Sequence, residues 1–246
     1  MSDGLLIVSE EVCEKVVDRA SAFTAVENVF GAMARGDAYN FPVIREAIGY
    51  ADALYGFKSG FDRADKALGV KSGGYWPGNM DKGLTNHQST VFLFNPDTGQ
   101  LQALVGGNYL TALRTAASSS VSIAHLARQD AKVLGMVGAG HQSAFQLRAA
   151  AEQRDFEKVI AWNPHPEMLP RLGAVAEELG LPFEAVEREQ LGAEADVIIT
   201  ITSAFEPLLK KEWIKPGTHI ACMGTDTKGK QEVAADLVAA ASVFTD

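Results

Sequence analysis

The run AKVLGMVGAGHQSAFQ, residues 131–146, limits the fold more than any other stretch of this chain. Val133, Leu134, Met136 and Val137 form a short apolar block of the kind found in strands buried on both faces. Gly138-Ala139-Gly140 comes next, followed by a segment rich in Ala, Gln, Leu and Arg with good helix propensity. Strand, glycine turn and helix together make the phosphate-binding element of a dinucleotide fold. Glycines let the chain turn tightly and let a pyrophosphate approach the backbone. The first N–H groups of the helix, at the positive end of its dipole, then face that charge. The third small position of the fingerprint is Ser143 rather than glycine or alanine. About twenty residues on, where an acid usually takes the ribose, the strand KVIAWN ends in Asn163. Asn163 can hydrogen-bond ribose hydroxyls, and no arginine adjoins it to hold a 2′-phosphate, which favours NAD over NADP.

From residue 131 onward the pattern alternates. Strands are expected at 132–137, 157–162, 182–186, 196–201, 218–222 and 242–245, with helices at 143–154, 166–180, 188–193 and 232–240. Such alternation implies a parallel sheet with helices on both faces. The first half has a different rhythm. A strand at 5–8 precedes one amphipathic helix over 9–34, an extended stretch over 38–49, and strands at 53–58, 67–73 and 89–94. NPDTG at 95–99 is a turn into LQALVGG, and an Ala- and Ser-rich helix over 109–126 leads onward. The expected fold class is therefore α/β: an N-terminal α+β domain over 1–118 for substrate and dimerisation, and a Rossmann-type domain over 119–246.

A formal charge of −9 with no basic stretch argues against nucleic acid or an anionic membrane as partner. No apolar run approaches the ~20 residues that span a bilayer. Cys13 and Cys222 are too few for a disulfide framework or a metal cage, so no metal is expected and a reducing cytoplasm fits. The opening MSDGLLIVSEEV has acids early and no long apolar core, unlike a secretory leader.

An anionic substrate of so acidic a chain needs local cations, and three stand in apolar or glycine-rich surroundings: Arg45 in FPVIREAIG, Lys71 in ALGVKSGGYWP and Arg114 in YLTALRTAASSS. Arginine suits two-pronged carboxylate binding, and lysine can donate a proton as well as attract charge. His87, ahead of the strand STVFLF, is a candidate for the same pocket. Ligands of open α/β sheets bind outside the carboxyl ends of the strands. Thr202-Ser203 and Met223-Gly224-Thr225-Asp226, with Lys230 beyond them, occupy two such ends.

Taken together, LGVKSGGYWP, STVFLFNPDTGQLQALVGGNYLTALRTAASS, VLGMVGAGHQSAFQLRA, ADVIITITSAFEPLL and HIACMGTDTKGKQEV resemble the ornithine cyclodeaminase/mu-crystallin family. That resemblance implies Arg45, Lys71 and Arg114 as carboxylate-binding cations, Lys71 as proton donor, and Asp226 as the acid/base of the cyclodeaminase branch. For the cofactor, NAD, it implies Arg114, Thr115, Ala139, Gly140, His141, Gln142, Asn163, Thr202, Met223 to Asp226 and Lys230. It further implies an NADH-dependent reduction of a small dicarboxylate imine to the amino acid, and a homodimer formed through the first domain's sheet. Two other activities remain open within the family, a lyase that recycles bound NAD and a non-catalytic binding protein. Family members continue beyond the position of Asp246, and the resemblance implies a returning last segment that this sequence does not contain.

Overall fold

The computed structural model describes residues 4–225 and 228–245. The chain divides into two compact units, Met1–Arg114 and Thr115–Asp246, and the break falls inside one long helix.

The first unit carries a seven-stranded sheet. Its strands are β1 (Leu6–Val8), β2 (Ala38–Asn40), β3 (Ile44–Ala47), β4 (Leu54–Asp62), β5 (Ala67–Tyr75), β6 (His87–Phe94) and β7 (Leu101–Gly106). Their order is β1-β7-β6-β5-β4-β2, with β3 also on β4. Only β1 pairs in parallel, with β7. The single helix expected over 9–34 is two: α1 (Glu10–Val16) and α2 (Arg19–Arg35). The apolar period runs across both, but the Asp18 carboxylate accepts from Ser21 N at 2.8 Å, and Ser21 Oγ in turn accepts from Asp18 N. That capping box starts a new helix. The extended stretch over 38–49 becomes β2 and β3, two short strands that both pair with β4.

Helix α3 (Asn108–Leu126) carries the chain into the second unit. There β8 (Val133–Val137), β9 (Lys158–Trp162), β10 (Phe183–Ala185), β11 (Val197–Thr200) and β12 (His219–Cys222) form an all-parallel sheet ordered β10-β9-β8-β11-β12. This is a Rossmann-type sheet, with α4 (His141–Ala151), α5 (Leu169–Glu178), α6 (Arg188–Glu194) and α7 (Ala235–Ala240) between or after its strands. Leu134, Met136, Val159, Val197 and Ile199 pack with Leu147 and Leu172 on one side. Val137, Ile160 and Ile198 pack with Leu191 and Leu237 on the other. Burying each such side chain contributes about 1.5–3 kcal/mol, which is why these strands read as apolar runs rather than alternations. The sixth strand expected at 242–245 does not form: those residues lie unpaired and exposed after α7. Ser242-Val243-Phe244-Thr245 has strand propensity, but propensity without a neighbouring strand makes no ladder.

Candidate active site

The cofactor half of the site starts at the β8–α4 turn. Gly138 has φ +110°, a conformation that costs an L side chain dearly, and an added Cβ would lie 2.7 Å from the Ile201 carbonyl oxygen. Gly140 differs. Its φ is −75°, open to any residue, and an added Cβ there meets nothing within 4 Å. Nothing among the described residues requires glycine at 140, and the open space beside it leaves the backbone accessible to a ligand. Gln142 offers a buried Oε1 with no partner among the described residues, an acceptor for a bound donor. The residues therefore fit a dinucleotide at the mouth of α4. Ser143, in the third position, is buried and donates its hydroxyl to Gly140 O at 2.6 Å, closing the turn as a small residue must.

Asn163 does more than the sequence suggests. Its Oδ1 accepts from Ala139 N at 3.0 Å and its Nδ2 donates to His165 O at 2.8 Å. It thus pins the glycine turn to the end of β9, leaving one lone pair and one N–H for a ribose. At the head of α4, partial desolvation and then the Arg171 charge hold the His141 imidazole below its usual pKa. Both effects favour the neutral imidazole.

At the ends of β11 and β12 the organising residue is one that the sequence reading passed over. Glu232 is fully buried. One carboxylate oxygen accepts from Thr202 N and Thr202 Oγ1, each at 2.7 Å. The other accepts from Thr200 Oγ1 at 2.7 Å and Gly224 N at 2.9 Å. Two backbone N–H groups on separate oxygens can be satisfied together only by a carboxylate, because an amide would turn its NH2 toward one of them. Glu232 therefore holds Thr202 and Gly224 in register. Met223 is half-buried, Ser203 and Thr225 are exposed, and Lys230 is half-buried beyond the turn. Asp226 lies outside the described residues. Only the contact pattern reveals Glu232, which the sequence presents as an ordinary charged residue at the start of the helix expected over 232–240 and which lies ahead of the helix observed at Ala235–Ala240.

The substrate half belongs to the first unit. Side chains directly opposite in a sheet share a face. Arg45 pairs with Gly56, Gly56 with Gly73, and Gly73 with Ser89. The next row is Lys58, Lys71 and Val91, and His87 lies across from Tyr75 two residues further the other way. Arg45, Lys58, Lys71 and His87 consequently lie on one face. From Lys71's row to His87 is four residues of β6, about 13 Å, so His87 sits at the far end of the face. Lys71 is half-buried, and its Nζ donates to Thr111 Oγ1 at 3.3 Å, in the first turn of α3. Arg114 follows Thr111 by three residues, hence on the same side of α3, and is exposed. Thr115 is buried.

Comparisons with known proteins identify relatives of the whole chain. The family model for the ornithine cyclodeaminase/mu-crystallin family matches residues 6–246. Iminosuccinate reductase of Paracoccus denitrificans is 65% identical over 98% of this chain and 76% of its own length. Its crystal structure, in complex with NAD+, superposes with a TM-score of 0.94 over 98% of this chain and 75% of that one. An archaeal alanine dehydrogenase, solved as a dimer with bound NAD, is 30% identical with a TM-score of 0.88 over 94% and 71%. Thermococcus litoralis Δ1-pyrroline-2-carboxylate reductase, with NADH and L-proline, is 28% identical with a TM-score of 0.87 over 95% and 73%.

Proposed function

The chain belongs to the ornithine cyclodeaminase/mu-crystallin family, and on that premise we propose that it reduces iminosuccinate to L-aspartate with NADH. The observation that carries the reading is the 65% identity to an iminosuccinate reductase along almost the whole chain. The cationic face agrees with it. A dianionic imine is foreign to a protein of charge −9 unless fixed cations meet it, and Arg45 and Lys71 stand on one face of the sheet.

The glycine turn and the N-terminus of α4 would hold NADH, which would supply the hydride for the reduction. The protein's own work is positioning and charge. Arg45 and Arg114 grip carboxylate through their planar forks, which limits the substrate to a few orientations. Lys71 gives a proton from Nζ to the imine nitrogen as the C=N bond is reduced to an amine. Thr111 Oγ1 accepts from that same Nζ and holds it in place. Thr202, Gly224 and the α4 N-terminus keep the cofactor's backbone contacts fixed, so that orientation rather than strain supplies most of the rate.

A homodimer formed through the first unit's sheet is part of the proposal. The face opposite the cations carries Ile44, Tyr55 and Phe57, which stay between 37% and 54% exposed, an apolar surface suited to a second copy. A cytoplasmic setting agrees with Cys13 and Cys222 as free thiols. The test is NADH oxidation with oxaloacetate plus ammonium, which generate the imine in solution. Loss of NADH matched by L-aspartate supports the reading. Unchanged NADH with this mixture, alongside ammonia release from ornithine, would make the protein a lyase instead.

A further inference from the structure

We propose that Lys58 is the specificity-determining anchor for the second carboxylate of the substrate, an assignment that rests on the dicarboxylate-imine reading above. Lys58 of β4 is directly opposite Lys71 of β5. Directly opposed residues of an antiparallel pair have Cβ atoms about 5 Å apart. Arg45 is opposite Gly56, two residues along β4, which makes it the diagonal neighbour of Lys58 at about 7–8 Å. Lys58 is therefore the middle member of a three-cation row, with Arg45 on one side and Lys71 on the other.

The surroundings of that row fit a small anion. Gly56 and Gly60 flank Lys58 along β4 on this face, and Gly69 and Gly73 flank Lys71 along β5. Four neighbouring positions thus lack side chains, and both lysines are half-buried residues. A carboxylate placed between two opposed lysines gains two attractions, and the interaction is strong where water is partly excluded. The carboxyl groups of a four-carbon diacid are separated by two carbons, a span of the same order as the gap between opposed side chains. With Lys71 engaged at the imine nitrogen, Lys58 meets the carboxylate remote from the reacting carbon. A substrate with a single carboxylate has no group to place there.

The experiment compares wild type with Lys58→Met, which keeps an unbranched apolar stem and removes the charge, and with Lys58→Arg, which restores it. Each is assayed with oxaloacetate plus ammonium and with pyruvate plus ammonium, and succinate binding is measured by calorimetry. Lys58→Met should lose about 100-fold in kcat/KM for the dicarboxylate imine, chiefly through KM, and at most a few-fold for the monocarboxylate imine. Succinate should bind at least about 10-fold more weakly to Lys58→Met, with Lys58→Arg recovering part of the loss. NADH affinity should not move, since Lys58 and the glycine turn lie in different units. Equal losses on both imines, or equal succinate affinity in wild type and Lys58→Met, would overturn the assignment. Should wild type fail to oxidise NADH with oxaloacetate and ammonium, the reductase reading falls, and the succinate comparison still decides Lys58.

Discussion

The parallel sheet of the second unit and the largely antiparallel sheet of the first treat their strands in opposite ways. Val197–Thr200 is buried at every residue, whereas Ile44–Ala47 has no buried residue at all. At its strand ends the sealed sheet satisfies buried polarity in full, as with the four donors on Glu232. The open sheet can carry three cations side by side because its strands are less sealed from water. On the proposed reading, one unit would hold the cofactor by backbone geometry and the other would recognise substrate by side-chain charge. Substitutions in the first should therefore appear in binding of NADH and in stability, and substitutions in the second in turnover and substrate choice.

The largest expected effect is at Lys71. Lys71→Met should lower kcat by about 10³-fold, the usual scale for a general acid, with NADH affinity and melting temperature unchanged. Stopped-flow turnover beside a fluorescence titration separates the two, and equal turnover would remove Lys71 from the chemistry. Glu232→Gln should behave in the opposite way. It leaves a buried backbone N–H facing an amide NH2, a loss of about 3 kcal/mol seen in chemical denaturation, together with weaker NADH binding. Full stability in that variant would break the contrast between sealed and open sheets.

Asp196 sharpens the same contrast through pH. Burial alone would raise its pKa, but the Lys215 hydrogen bond and the N–H groups of Lys132 and Val133 outweigh burial and bring it down to about 2. Arg128 adds a second cation at 2.8 Å. A carboxylate with a depressed folded pKa stabilises the fold fully above its ordinary value of 3.8, and that contribution is lost as pH falls toward about 2. Asp196→Asn should cost about 2 kcal/mol at pH 7 and flatten the acid limb of the stability curve between those two values. An unchanged limb in urea melts across that range would show that the buried network does not set acid stability.

The smallest effect is the most diagnostic. Gly138→Ala should destabilise by about 1–2 kcal/mol, because φ +110° and the Ile201 carbonyl both oppose a Cβ. Gly140→Ala should leave the melting temperature unchanged or slightly higher, yet weaken NADH about 10-fold, since only a ligand approaches that position. Calorimetry on both variants checks the pair, and identical behaviour would mean that both glycines serve the fold alone.

Much of the second unit could be read from its residues in order. Val133 to Val137, the glycine turn and α4 are contiguous, and a buried parallel strand announces itself as an apolar run. Asn163 could be picked out as a candidate for the ribose, although its grip on Ala139 N could not. Reading failed where local preference and tertiary pairing diverge. Ser242 to Thr245 has the composition of a strand without a partner, and the break at Asp18 hides within a continuous apolar period. Lys58 and Glu232 escaped for a different reason. YGFKSGFD and KGKQEV carry ordinary charged residues, and neither segment says what it will face.

The order of residues alone determined the presence of a dinucleotide turn, the alternation that builds a parallel sheet, and the identities of Arg45, Lys71 and Arg114 as candidate cations. Those signals are local, because periodicity and missing Cβ atoms act within a few positions along the chain. Tertiary structure decided which charges share a face and which carboxylate closes the strand ends. Lys58 meets Lys71 through the β4–β5 register, and Glu232 reaches Thr202 across thirty positions, so both depend on pairing that no short stretch encodes.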